Sequence, residues 1–203
     1  MAYAKELGLT TKAVLVAGAH DQYAVALGAG ALNSGDILIG SGTCWVLTAL
    51  NNSPDFESGL SQSVSAAPGL LGSVRSLSSG GICLDWLRNQ VSHGAELTYD
   101  EINRESSKRK AAEDGLFFFP FAGKSDDKQR LKRASFVGLD LSHDCFDMSL
   151  AVMEGVGSGI YDSIESGYKH LAVEEKIILP NVEKHNIYSP LFEEYKKRAR
   201  LLK

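Results

Sequence analysis

Residues Ala13 to Leu50 read AVLVAGAHDQYAVALGAGALNSGDILIGSGTCWVLTAL, and the rest of the chain is organised around them. Val14 to Val16 is a short apolar run that reads as a buried strand, with Asp21 beyond its end. Gln22 to Leu32 reads as a helix of small residues, and Asn33-Ser34-Gly35 as a turn. Asp36 to Leu50 alternates weakly and is rich in Ile, Leu, Val, Thr and Trp, which predicts a two-stranded hairpin folded about Gly40-Ser41-Gly42-Thr43. Acids at strand ends and glycine turns between strands are where α/β folds place chemistry, because side chains and backbone N–H groups both face the crevice there. Ser41, Gly42 and Thr43 can offer a phosphate N–H groups and a hydroxyl without a large side chain in the way. Asp21 can equally do no more than cap its helix by accepting an N–H of the first turn. His20 reads as a positioning or surface residue, Gly28 and Gly30 as sites of close helix packing, and Trp45 as core.

The composition excludes several classes. With 203 residues, 44% hydrophobic and 23% charged, the chain suits one core plus at most an appendage. A net charge of −4 leaves no electrostatic footprint for nucleic acid. No apolar run approaches a membrane span and the first residues lack a signal-peptide profile, so a cytoplasmic protein is expected. Cys44, Cys83 and Cys145 lie far apart without metal-ligand spacing and read as reduced core thiols.

Further along, Ser78-Ser79-Gly80-Gly81 leads into a helix, Ile82 to Val91, with Leu84, Leu87 and Val91 on one face. Trp86 is expected to anchor the core and Asp85–Arg88 to form a solvated or domain-contact pair. Thr98 to Asp114 reads as an exposed helix whose charged end, ESSKRKAAED, is a solvated face. Phe117 to Phe119 is a buried strand closed by Pro120. Phe146 to Leu171 is the longest helical period, but Gly155, Gly157 and Gly159 fall inside it. Each costs a helix about 0.8–1 kcal/mol relative to alanine, so either the helix breaks or the glycines mark close packing. Near the end, NIYSPLFEEYKKRARLL is a helix with i,i+4 pairs Glu193–Lys197 and Glu194–Arg198.

GAHDQYAVALGAGAL, then GDILIGSGTCWVL, GGICLDWLRN and the eroded FPFAGKS…KRASFVGL resemble the carbohydrate kinases of the FGGY family, with wording closer to the xylulokinase-like branch. Gly123, Arg133, Gly138 and Leu139 keep that family's frame, whereas Lys124, Ser125 and Ala134 depart from it. The resemblance implies an actin-like ATPase (ribonuclease H-like) α/β domain, here incomplete. It also implies ATP and Mg²⁺ as cofactors and a xylulose-like sugar as substrate. By resemblance Asp21 is the base that takes a proton from the sugar hydroxyl, Gln22 contacts the sugar, and Gly42, Thr43 and Gly81 lie against the nucleotide. Residues 1–34 then correspond to the end of the family's first domain and 35–203 to its C-terminal domain, shortened near 156–157 where the adenosine loop should lie. Because the N-terminal phosphate loop, much of the sugar pocket and the adenosine loop are not found, the isolated chain is expected to be inactive or very weak. One half of a split kinase, or a non-catalytic interaction or regulatory module, are the alternatives. An exposed sheet edge and apolar helix faces suggest self-association or a partner that covers them.

Overall fold

A computed structural model describes residues 5–10, 12–14, 16–54, 60–77, 79–91, 97–112, 115–120, 134–167 and 182–201. The elements in order are α1 (Asp21–Gly28), β1 (Ile37–Ser41), β2 (Trp45–Asn51), β3 (Ser61–Val64), β4 (Leu71–Leu77), α2 (Gly81–Val91), α3 (Tyr99–Ser106), β5 (Phe117–Phe119), β6 (Ser135–Val137), α4 (Cys145–Gly167) and α5 (Val182–Leu201). Four strands form an antiparallel sheet in the order β1-β2-β4-β3, and β5 pairs with β6. The hairpin is the expected one, with Ile37 opposite Ala49 and Ser41 opposite Trp45.

The strand expected at Val14 to Val16 does not form. Val14 and Val16 are 81% and 77% exposed in unpaired chain, and Leu15 lies outside the described residues. An apolar run becomes a strand only beside a neighbour that takes its backbone hydrogen bonds, and among the described residues no strand stands there. Helix α1 is also shorter than expected. It ends in a Schellman motif, in which Gly30 N–H donates to Leu27 O (3.1 Å) and Ala31 N–H to Ala26 O (2.9 Å), with Gly30 at φ +91°. Gly30 is thus a helix stop, and a β-carbon on Gly28 would meet nothing within 4 Å, so neither glycine serves close packing.

The main core lies where α2, β5 and α4 meet, in Cys83, Leu87, Leu116, Phe118, Ala151, Val152 and Val156, with Trp45, Leu77, Leu84, Val91 and Phe136 packed against it. Side chains alternate across a strand, so Phe118 faces this cluster while Phe117 and Phe119 face α5 through Tyr195, Leu191 and Phe192. A strand covered on both sides explains why three consecutive phenylalanines are buried. Helix α4 runs unbroken through all three glycines. A β-carbon on Gly155 would fall 2.1 Å from the Phe118 carbonyl oxygen, and one on Gly159 3.3 Å from Leu77, whereas Gly157 has open space. Close packing therefore accounts for two of the three. The helix starts with a capping box, in which Asp144 Oδ1 accepts from Phe146 and Asp147 N–H (2.8 and 3.1 Å) and Asp147 Oδ2 accepts from Asp144 N–H (2.7 Å).

Other expectations shift. Helix α3 stops at Ser106 because Ser107 Oγ donates to Arg104 O (2.9 Å), a local alternative to further helix. The charged run beyond is not all solvated, since Arg109 bridges Asp144 (2.7 Å) and the buried Asp147 (2.8 Å). Trp86 does not anchor the core; it is 39% exposed, and Cys83 and Leu87 fill the buried face instead. Asp85 bonds Arg88 (3.6 Å) and the Tyr99 hydroxyl, with Arg88 stacked over the Tyr99 ring. Of the cysteines only Cys83 is core; Cys145 is half-buried and Cys44 is exposed in the hairpin turn, and they form no disulfide. Glu194–Arg198 pairs as expected (2.7 Å), but Glu193 takes Lys196 (2.7 Å) and not Lys197. Gly123, Lys124, Ser125 and Arg133 lie outside the described residues, as do Tyr168, Leu171 and the Leu179-Pro180-Asn181 stretch.

Candidate functional site

The site is built by one hairpin turn and two helix starts. Strands β1 and β2 close at Ser41–Trp45, leaving Gly42, Thr43 and Cys44 as an exposed turn. Its carbonyls face the entry of α2. Gly42 O accepts from Gly81 N–H (2.9 Å), and Thr43 O accepts from Gly80 N–H (3.0 Å) and Ile82 N–H (3.3 Å). The turn thereby satisfies backbone donors that a helix start otherwise leaves unpaired. A β-carbon on Gly81 would lie 3.0 Å from Gly42 O, and one on Gly80 2.1 Å from Trp45 Cδ1, so both glycines are needed for this approach. Gly42, Thr43 and Gly81, singled out separately in the sequence, are brought together.

This arrangement narrows what the turn can offer an anion. Gly42 N–H donates to Cys44 O (3.2 Å) inside the turn, and the N–H groups of residues 80–82 go to the turn carbonyls. The hydroxyls of Ser41 and Thr43 stand on exposed residues of the motif.

Asp21 and Gln22 occupy the first turn of α1, which is anchored by the next residue. Tyr23 is 4% exposed, and its hydroxyl donates to Gly72 O (2.8 Å). Its ring covers Gly72, where a β-carbon would fall 2.1 Å from Tyr23 Cε1. Gln22 Oε1 lies 3.8 Å from a β-carbon position on Gly40, two residues before Gly42, so the start of α1 is held beside the end of β1. The Asp21 side chain is 79% exposed. Its Oδ1 accepts from Gln22 N–H (2.7 Å), so the capping reading holds locally, and it lies 3.1 Å from His20 Nδ1. The same nitrogen lies 3.3 Å from the Gln22 amide, but one nitrogen cannot both accept there and donate to Asp21. The shorter Gln22–Asp21 bond already satisfies the amide, which leaves Nδ1 to donate to Asp21 when it carries the proton. Tyr23 is the site residue that sequence reasoning missed; its partner is a glycine in β4, and sequence spacing carries no signal of that contact. Among the described residues no group of three or more His, Cys, Asp or Glu stands together as a metal cage. No helix among them is long and apolar enough to cross a membrane.

The fold is that of the sugar kinases with actin-like ATPase architecture. The solved xylulose kinase from Rhodospirillum rubrum superposes with a TM-score of 0.68 at 22% identity, over 81% of this chain and 34% of that one. No protein-family model matches the chain. In sequence it is 28% identical over 166 residues to the xylulose kinase of Staphylococcus epidermidis RP62A, covering 80% of this chain and 33% of the relative. It is 27% identical over 169 residues to the gluconokinase of Bacillus subtilis 168, covering 77% and 33%. The chain is thus a relative of the FGGY-family carbohydrate kinases. It spans about a third of the length of the curated relatives it matches.

Proposed function

We propose that this chain carries the nucleotide-phosphate and base-bearing portion of an ATP-dependent sugar kinase, with residues 1–34 derived from the end of a first domain and 35–203 from a C-terminal domain shortened near 156–157. The contact of the Gly42–Thr43 turn with Gly81 carries this reading, because it gathers three positions that the family resemblance assigned to the nucleotide. Thr43 donates to a phosphate oxygen at the exposed turn, and Gly81 keeps the helix entry close beneath it. Mg²⁺ brought in with the nucleotide would supply charge neutralisation at the transferred group. Asp21, held by the Tyr23 anchor, accepts the proton of a sugar hydroxyl, and Gln22 bonds a neighbouring hydroxyl. A xylulose-like sugar suits the names of the xylulose kinases among the relatives, and a cytoplasmic setting is part of the same proposal. Phosphoryl transfer depends on positioning, and Asp21 is open to water with His20 and Gln22 beside it, so the 203 residues alone turn over sugar very slowly or not at all. Calorimetric titration with Mg-ADP and Mg-ATP tests the reading. Binding that Thr43→Ala weakens supports it; no binding at millimolar nucleotide, or binding indifferent to Thr43, overturns it.

A second reading, one half of a split kinase, is favoured by one observation. Val14, Val16, Val25 and Leu32 are all more than half exposed around the catalytic-type motif, an apolar surface suited to a covering chain. Co-purification with a sugar-kinase N-terminal domain supports it, and a chain that ignores such a domain refutes it.

A further inference from the structure

We propose that the cavity between α4 and α5, away from the hairpin turn, is a binding site for a small organic ammonium with an aromatic or aliphatic body. The cavity holds about 560 Å³, within the range of small-molecule sites. Its walls include Phe117 from β5, Met153 and Tyr161 from α4, and Phe192 from α5, with Glu154 and Tyr188 hydrogen-bonded to each other among its polar groups. Tyr161 meets Phe192 edge-on at 4.7 Å between ring centres, so the wall is a pre-formed aromatic corner.

Glu154 decides the ligand's charge. One carboxylate oxygen accepts from Ala112 N–H (3.0 Å) and the other from the Tyr188 hydroxyl (3.1 Å), both neutral donors. Burial pushes its carboxyl above the ordinary range, and these two hydrogen bonds only partly offset that. Among the described residues Glu193 pairs with Lys196 (2.7 Å), whose ammonium lies over one face of the Phe192 ring (4.6 Å), and the Arg198 guanidinium lies over the Phe117 ring (4.7 Å); Lys110 lines a small neighbouring cavity with Glu154, and His185 Nε2 contacts Ser189 Oγ (3.3 Å) in its own helix. A half-buried carboxylate whose donors among the described residues are neutral is costly, and a cation that joins it offsets that cost. Phe117 and Phe192 already carry Arg198 and Lys196 over one face, so Tyr161 is the wall ring left to a bound ammonium, and beside the Glu154 carboxylate it attracts the cation through both ring quadrupole and charge. A neutral or anionic molecule of the same shape gains only the apolar walls. Gly157 lines the same cavity, and a β-carbon there meets nothing within 4 Å, so a larger side chain at this position occupies the space without disturbing the core.

The test is calorimetric and NMR titration of the full chain with phenethylammonium, and with phenethyl alcohol as its neutral counterpart. The expected result is millimolar or tighter binding of the cation and about tenfold weaker binding of the alcohol. Glu154→Gln should remove that preference while keeping the weak apolar binding. Gly157→Leu, which fills the cavity and improves helix propensity, should abolish binding of both. Equal affinity for cation and alcohol, no binding of either at millimolar concentration, or unchanged binding in Gly157→Leu would each overturn the assignment.

Discussion

Gly80→Ala tests the joint between turn and helix on which the site depends. A β-carbon at Gly80 lies 2.1 Å from Trp45 Cδ1 and 2.8 Å from Cγ and Nε1. Carbon atoms settle about 3.5–4.0 Å apart, so the indole or the helix entry must retreat by roughly 1.5 Å. Trp45 is half-buried and packed against the cluster of Cys83, Phe118 and Val152. Overpacking of this kind costs about 1–3 kcal/mol. Retreat of the helix entry would also stretch the 3.0 Å bond from Gly80 N–H to Thr43 O and displace the turn. Urea unfolding of the wild type, Gly80→Ala, Trp45→Leu and the double variant separates the two effects. The alanine should cost about 1–3 kcal/mol beside Trp45 and less than about 0.5 kcal/mol beside Leu. Equal costs in both backgrounds would show that the methyl does not meet Trp45, and would refute the close approach of turn and helix.

The remaining expectations concern the α1 anchor, the α4 glycines and Glu154. Tyr23→Phe removes the buried bond to Gly72 O and should lower stability by about 1 kcal/mol in chemical denaturation, without shifting the unfolding slope. Gly155→Ala should destabilise by about 1–3 kcal/mol despite the better helix former, because its methyl meets the Phe118 carbonyl; Gly157→Ala should stabilise by up to about 1 kcal/mol. Thermal melts of the pair check both signs. Burial raises Glu154's folded pKa above its unfolded value, so its contribution to stability is full below that unfolded value and is lost as pH rises through the folded one. Glu154→Gln should therefore raise Tm at neutral pH, and the gain should shrink as pH falls through the raised folded value and be gone below about 4.5. A gain that is the same at both ends would refute burial as the cause.

Elements whose fate is decided locally were legible in the sequence. The hairpin about Gly42 shows its alternation, β5 its continuous apolar run, and α2 its apolar face. The long helix was legible as a period, but whether Gly155 broke it depended on a carbonyl in β5, far earlier in the chain, which no local pattern encodes. Val14 to Val16 failed as a strand for the complementary reason: propensity supplies an apolar run, but only a neighbouring strand makes it a strand. Gly28 and Gly30 read as packing sites because a Schellman stop and close packing both select glycine, and only the backbone angle and the surroundings distinguish them. Within the site, the motif pointed to Asp21, Gln22, Gly42, Thr43 and Gly81. The geometry that joins the turn to Gly81 runs through backbone carbonyls, and the Tyr23 anchor runs through a glycine in β4, so neither was legible. Trp86 looked like an anchor because tryptophan is highly buried on average; here Cys83 and Leu87 already fill that face.

The most direct measurement is the amide spectrum of the ¹⁵N-labelled chain during titration with Mg-ADP. If the hairpin turn receives nucleotide phosphate, the amides of Gly42, Thr43 and Gly81 should shift together, and Thr43→Ala should suppress those shifts. Shifts confined to other parts of the chain, or none at saturating nucleotide, would contradict a phosphate role for the turn.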